Sequence, residues 1–327
     1  MKHRQLGATG PKTSALGLGC LSFGGLFGAT STAGSLACLD AAWDHGITFL
    51  DVANVYGSGM SETVIGEWLA SRPHRPLIAT KAGIVQGATR GIDNTPAYLR
   101  AELEGSLRRL GVDHVALFYL HRHDPATPIE AVASLMADLI VEGKIGGYGL
   151  SEIAPYTLRR AHAVHPVTAV QNEYSLWTRQ PELGMIQTCA ELGVAFVPFS
   201  PLARGAFGQP MLDPNTQDIG PFRTTIPRFS PENWPLNRPY LLAFQQLAAD
   251  MGHHPAALAL AWCLHRGDHL IPIPGTRHAA NLAAWATAPD ITLTPQDMAR
   301  IDAILPVGWA YGDRYNDAMA ASVERYS

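Results

Sequence analysis

Cysteine is scarce in this chain, four in 327 residues, and Cys20, Cys38, Cys189 and Cys263 stand far apart in apolar surroundings. They have neither the paired spacing of a zinc site nor the density of a disulfide scaffold, and read as buried, reduced thiols of a cytoplasmic protein. Charge is sparse as well: 16% of residues, a net charge of −4 and both signs mixed along the chain. No basic field exists to hold a nucleic-acid backbone or an anionic membrane surface, which leaves a small molecule as the expected partner. No uninterrupted apolar run is long enough to span a bilayer, and the start, "MKHRQLGATGPK", lacks the apolar stretch of a signal peptide. Two nucleotide signatures are missing too. "GLGCLS" (17–22) has Ser22 where a dinucleotide fingerprint requires a third glycine, "GSGMSE" (57–62) ends in Glu62, and no phosphate loop appears. A nucleotide would have to bind in a non-Rossmann manner.

What is present is an alternation. With 47% hydrophobic residues the chain can bury a large core. Short apolar runs near 15, 47, 76, 114, 145, 167, 194 and 270 ("ALGLG", "ITFLD", "PLIATK", "HVALFYLH", "IGGYGLS", "VTAVQ", "VAFVPFS", "LIPIPG") read as eight strands. Amphipathic stretches between them read as helices: Thr95-Pro96 and Thr127-Pro128 each place a cap before proline at the first helical position, and Gly46, Gly111, Gly143, Gly193 and Gly252 follow the last apolar turns. Strand then helix, repeated eight times, predicts an α/β protein in which parallel strands close into a (β/α) TIM barrel, with residues 1–327 as one unit. Two stretches break the rhythm. Residues 202–237 form a Pro-, Gly- and Asn-rich loop too long for a simple connection, and the aromatic tail 306–327 could fold back over a barrel mouth.

The strand ends, where barrel chemistry sits, are unusually polar: Asp51 with Tyr56 just beyond, Lys81, His121, Ser151-Glu152, Gln171-Asn172, Ser200 and Pro274-Gly275-Thr276-Arg277. Lys81 is the sharpest anomaly, because an ammonium at the end of an apolar strand must find a carboxylate or shift its pKa, and Asp51 on the neighbouring strand is the obvious partner. An inert salt bridge at the barrel rim would account for that pair alone. Tyr56 and His121 beside it make more of it: Asp51 would hold the lysine, Lys81 would lower the phenol pKa, Tyr56 would give up a proton, and His121 would orient a substrate oxygen. Such an ensemble suits protonation of a developing alkoxide, as in carbonyl reduction by hydride. Arg277, closing "IPIPGTR" at a frequent barrel phosphate site, could hold an adenosine 2′-phosphate.

The motifs "DVANVYGSG", "ATKAG", "YLHRHDP", "GLSE", "QNEYS", "FSPLARG" and "IPGTR", in this order across nearly the whole chain, resemble those of the aldo-keto reductases. "LHRHDPATPIE", "QNEYSLWTR" and "GWAYGDRY" look similar to bacterial and fungal members reducing pyridoxal or general aldehydes. The resemblance implies an eight-stranded barrel with an N-terminal hairpin, residues 2–15, closing its floor, NADP(H) lying across the strand ends, and 202–237 folding over the cofactor. It implies a tetrad of Asp51, Tyr56, Lys81 and His121, with Tyr56 the general acid that completes the NADPH-dependent reduction of an aldehyde or ketone. Gly19, Cys20, Leu21 and Asp51 would sit beside the cofactor. Ser151, Glu152 and Gln171 would meet the nicotinamide amide, and Phe199 would stack on its ring. Ser200, Pro201, Leu202, Arg204 and Gly205 would line the pyrophosphate, and Gly275, Thr276 and Arg277 would hold the adenosine phosphate. Relatives carry Glu-Asn where this chain has Ala284-Trp285, which leaves Asn281 or Trp285 to meet adenine.

The substrate pocket is expected from Leu21, Phe23, Tyr56, His121 and either Trp309 or Tyr311, whose apolar walls would favour an aromatic or medium-chain aldehyde over a polar sugar. Two other readings stand beside this one. "HRHD" (121–124) could share a divalent ion between His121 and His123, as in a barrel hydrolase, although the other strand ends offer lysine, serine and glutamine rather than ligands; no metal is expected. A catalytically weak, NADPH-binding sensor would need none of the tetrad, and all four residues are there.

Overall fold

The computed structural model describes residues 1–85, 91–216 and 219–326. Positions 217 and 218 of the long loop and Ser327 of the tail lie outside the described residues. The chain opens with a hairpin, β1 (His3–Gln5) antiparallel to β2 (Lys12–Ser14). Its turn carries Leu6, fully buried against Phe49, Ala79, Leu117, Tyr119, Ala169, Ala195, Val197, Ile271 and Ile273. Gly7 adopts φ +68° where a Cβ would lie 2.3 Å from the Thr168 carbonyl oxygen, so only glycine lets the turn press onto the strands.

The strands that follow are β3 (Leu18–Gly19), β4 (Phe49–Asp51), β5 (Leu77–Ala82), the small hairpin β6 (Ile84–Val85) and β7 (Gly91–Ile92), then β8 (Leu117–Leu120), β9 (Tyr148–Ser151), β10 (Ala169–Gln171) and β11 (Ala195–Phe196). Seven of them form one parallel sheet in the order β11-β10-β9-β8-β5-β4-β3. Helices α1 (Thr32–Asp44), α2 (Met60–Ser71), α3 (Pro96–Leu110), α4 (Ile129–Val141), α5 (Pro155–Val164) and α6 (Met185–Leu192) alternate with them; α7 (Pro221–Thr224), α8 (Trp234–Asp250), α9 (Pro255–Leu264), α10 (Ala280–Ala283), α11 (Pro295–Ile304) and α12 (Asp317–Ala320) complete the chain.

The eighth strand expected near 270 is not a regular strand. Ile271 and Ile273 donate backbone N–H groups to Phe196 and Pro198, while the carbonyls of Pro272 and Pro274 accept from Gly17 and Gly19. The segment therefore bridges the two edges of the curled sheet, but its prolines have no N–H to return toward β3, and half the ladder is missing.

The alternation of each strand sorts its side chains into two cores. One lies inside the curl, in the group around Leu6; the other contains Leu50, Ile78, Phe118, Leu120, Leu150 and Val170 with the apolar residues of α1 to α6. Following the inward face upward, Phe49 leads to Asp51, Ala79 to Lys81, Leu117 and Tyr119 to His121, and Ala169 to Gln171, so apolar layers end in polar ones at the carboxyl rim.

Local signals match unevenly. All five glycine stops have positive φ, between 66° and 77°. Thr95 caps α3 by accepting from the Tyr98 N–H, with Pro96 first in the helix, whereas Pro128 itself is the cap residue of α4 and Thr127 lies one position outside. The predicted loop 202–237 yields its last four residues to α8, which starts at Trp234.

Candidate active site

At the carboxyl rim lies a cavity of about 1150 Å³. Tyr56 and His121 stand at its wall, their rings 5.8 Å apart and edge to face at 77°. Lys81 is fully buried beneath them: its Nζ pairs with Asp51 Oδ1, donates to the Val52 carbonyl at 3.0 Å and reaches the Tyr56 hydroxyl at 3.3 Å. Gln171 Nε2 donates to the other carboxylate oxygen of Asp51 at 2.7 Å. The chain brings Tyr56 to this point by a loop after β4 that hangs on β5, with Val52 and Asn54 donating to Ala79 and Lys81. Gly24 and Gly57 touch back to back; a Cβ on Gly24 would lie 2.5 Å from the Gly57 nitrogen, so bulk at either would displace the tyrosine.

The electrostatics of this cluster differ in one respect from the expectation. Burial pushes the Tyr56 phenol above its usual range, and the Lys81 ammonium only partly counters it. Lysine charge therefore moderates, rather than reverses, the effect of burial. Burial works to lower Lys81, but Asp51 and Tyr56 outweigh it and hold the ammonium charged. Asp51 is raised by its own burial, with Lys81 and Gln171 acting against that.

The cavity wall also includes Gly19, Leu21, Ser151, Gln171, Phe199, Ser200, Pro201, Leu202, Arg204, Gly205, Gly275, Thr276, Arg277 and Asn281. Between Ser200 and Gly205 the chain is strained: Ser200, Ala203 and Arg204 have φ of 50°, 51° and 56°, and Gly205 101°. At the far end Arg277 donates to the Phe27 carbonyl and, through Nε, to His278 at 3.1 Å. Asn281 donates to Thr276 Oγ1 at 3.1 Å, and Ala284 and Trp285 lie beside it.

Besides Lys81, which lies beneath the wall, five predicted residues are not in it. Cys20 and Phe23 are fully buried in the outer core, since the short 3₁₀ turn at Cys20–Gly24 points them inward and leaves Leu21 and Ser22 to face the cavity. The Trp309 indole donates to the Leu176 carbonyl at 2.7 Å and packs on Trp177 and Tyr240, while Tyr311 is exposed and tied through its backbone to Asn237. Glu152 accepts from Arg314 Nη2 at 2.5 Å and from the Glu173 N–H at 2.8 Å; burial raises its pKa but Arg314 more than offsets this, holding it ionised and away from the cavity. His123 likewise turns aside, to Glu324 and the Thr127 carbonyl, and does not form an ion site with His121.

Sequence reading missed other parts of the wall: Leu26 and Phe27 from the first loop, Ile84 and Val85 from β6, Arg122, Phe222 and Arg223 from the long loop, and Tyr315, Met319 and Ser322 from the tail. Phe27 and Phe222 meet edge to face at 5.6 Å across the cavity mouth, and a Cβ on Gly220 would lie 2.8 Å from the Phe27 backbone. Arg223 sits over the Phe27 ring at 4.7 Å and donates to the carbonyls of Arg204 and Ile219. Burial, together with the charges of Arg277 and Arg204, lowers its pKa to about 10, and among the described residues it has no carboxylate partner. The glycines around Phe27 in "GGLFG" and before Phe222 in "GPFRTT" are the local signal for these contacts.

The sequence profile of the Aldo/keto reductase family matches residues 15–306. The chain belongs to that family. It is 38% identical over 322 residues to "Probable aldo-keto reductase 1" of Glycine max, covering 96% of this chain and 92% of that protein. Among solved structures it is similar to the glycerol dehydrogenase of Gluconobacter oxydans, with a TM-score of 0.85, 28% identity and coverage of 93% and 94% of the two chains. It is also similar to an aldo-keto reductase of Bacillus halodurans in its holo form, with a TM-score of 0.78, 26% identity and coverage of 97% and 99%. As an aldo-keto reductase the protein is an oxidoreductase of carbonyl and CH–OH groups in small molecules, working with a nicotinamide cofactor. Among the described residues no helix is long and apolar enough to cross a membrane.

Proposed function

We propose that this aldo-keto reductase reduces an aldehyde or ketone with NADPH, and that Tyr56 supplies the proton. The observation that carries the reading is the Lys81 Nζ, held between Asp51 and the Tyr56 hydroxyl at the wall of a large cavity. The cavity fits a dinucleotide. One end has the tyrosine and the other Arg277; between them lie the strained run of backbone at Ser200–Gly205 and Arg223, which lacks a carboxylate partner among the described residues. Residues for the nicotinamide are Ser151, Gln171 and Phe199; for the pyrophosphate, Ser200 to Gly205 with Arg223; for an adenosine 2′-phosphate, Gly275 to Arg277, with Asn281 and Trp285 near adenine.

A bound reduced nicotinamide supplies a hydride to the carbonyl carbon. His121 orients the carbonyl oxygen, and Tyr56 transfers its phenolic proton to that oxygen as the alcohol forms. Lys81 stabilises the phenolate left behind until solvent returns the proton, and Asp51 with Gln171 keeps the ammonium in place. A phenol raised by burial is fully protonated at neutral pH, as a proton donor must be. Microscopic reversibility lets the same groups serve alcohol oxidation, the direction in which the Gluconobacter relative is named.

The test follows the absorbance of NADPH with a panel of aldehydes. Turnover supports the reading, whereas a cofactor that binds with altered fluorescence but is never consumed would favour the sensor.

A further inference from the structure

The wall next to His121 contains a second cation besides those at the nucleotide end. Arg122 is only 8% exposed. Its Nη1 donates to the His121 carbonyl at 2.6 Å and to Ser151 Oγ at 3.2 Å, which ties the ends of β8 and β9 together. Those two bonds use one nitrogen. Nε is shielded and without a hydrogen-bond partner, Nη2 makes no hydrogen bond, and no carboxylate pairs with the guanidinium, all among the described residues. The nearby carboxylate, Glu152, is already held by Arg314 and by the Glu173 N–H.

The surroundings make this imbalance larger. Arg122, Arg204, Arg228 and Arg314 are buried or nearly so around Glu152 and Glu173, and Arg228 is lowered to about 9 by burial, Arg204 and Arg314. Glu173 and Glu152 pair with Arg204 and Arg314, and the charge of Asp313 reaches Arg228, which leaves Arg122 without a carboxylate partner among the described residues. A buried cation with unmet donors costs free energy that an acceptor recovers, and an anion recovers most of it, because a charge-assisted N–H···O bond to a carboxylate is roughly twice as strong as a neutral one. Arg204 lies at the strained run assigned to pyrophosphate; Arg122 lies at the other end, where its charge reaches the Tyr56 phenol and Tyr315.

We infer that Arg122 is a specificity-determining residue that reads a carboxylate on the substrate, so that the preferred substrates are oxo acids: aldehydes or ketones bearing a carboxylate near the carbonyl. This rests on the carbonyl-reductase reading and goes beyond it. The apolar residues Leu26, Val55, Ile84 and Met319 would hold the carbon chain between the two polar ends.

The probes are matched pairs, 4-formylbenzoate against its methyl ester and succinic semialdehyde against butanal, assayed with the NADPH-loaded full chain. For the wild-type protein we expect kcat/KM at least about tenfold higher for the acid of each pair, because a site built around a donor discriminates strongly against a ligand that leaves it unpaired. In Arg122→Met that ratio should fall to about one, chiefly through KM, and Arg122→Lys should restore part of it. Calorimetric binding of 4-formylbenzoate to the NADP-loaded protein gives a readout that needs no turnover: weakening of tenfold or more in Arg122→Met supports the assignment. Equal affinity in the two proteins, an acid-to-neutral ratio near one in the wild type, or a loss of NADPH affinity larger than the loss of carboxylate affinity would overturn it. Neutral aldehydes reduced without any preference for the acid would sink this inference alone, whereas no turnover of any aldehyde would sink the reductase reading.

Discussion

Tyr56 is set among three neighbours, and each can be removed separately. Tyr56→Phe keeps the ring and removes the proton donor, so NADPH affinity should hold within about twofold while turnover falls by about 10² to 10⁴, the usual worth of a positioned acid; equal turnover in the mutant would refute the role. The raised phenol also sets a pH limit. Reduction needs the protonated form, so kcat should stay level through neutrality and decline only as pH passes the ordinary phenol range near 10; a pH–rate profile falling below pH about 8 would assign the proton to another group. At the opposite end, Arg277→Ala should weaken NADPH far more than NADH, measured by fluorescence titration, and a similar loss for both would show that this side chain does not read the 2′-phosphate.

At the level of elements, hairpin and long loop do different work. The hairpin turn inserts Leu6 among the inward residues of the strands, and Leu6→Ala should cost about 2–5 kcal/mol, seen as a lower Tm with little change in KM. The long loop meets the first loop through Phe222, Phe27 and Gly220. Gly220 has φ +78° and no room for a Cβ, so Gly220→Ala should push the strap from Phe27 and raise the dissociation constant for NADPH at least several-fold while leaving Tm within a few degrees. Both loops were recognisable as irregular glycine-rich segments, but their meeting was not, because the contact joins residues nearly two hundred positions apart. Helix α9 escaped recognition for another reason: all ten of its residues are buried, and a helix apolar on every side shows no period.

Across the whole molecule, the tail comes back over the rim and is clamped. Glu324 accepts from the Ala154 N–H and from His123, Arg314 pairs with Glu152, and Tyr326 meets Asn172. His123 faces acceptors at both ring nitrogens, Glu324 and the Thr127 carbonyl, so the clamp uses the imidazolium. Burial and Arg160 work to lower its pKa, but Glu324 and Thr127 outweigh them and leave it raised. A raised histidine stabilises fully below its unfolded value near 6.5 and loses that contribution as pH climbs through the higher folded value. Hydrogen exchange at the Glu324 amide, which donates to the Glu152 carbonyl, should lose protection as pH rises above about 6.5, after correction for intrinsic rates, and His123→Gln should abolish that dependence. Protection that does not change as pH rises would mean that the pair does not hold the tail.

The order of strands and helices, the polar residue at each inward strand end and the pairing of Asp51 with Lys81 follow from local sequence, because a period of two fixes which residues share a face and a buried ammonium demands a carboxylate. The eighth stave showed its position but not its broken ladder, which depends on what Pro272 and Pro274 face. Whether Cys20, Phe23, Trp309 and Tyr311 look into the cavity or the core was decided only by the tertiary structure, since an apolar side chain in a loop carries no period to orient it. The same holds for charge. Glu152 and Arg122 lie at the ends of adjacent strands, yet among the described residues Glu152 is paired with Arg314 from far along the chain and Arg122 has no carboxylate partner, and only packing determines which charge is paired.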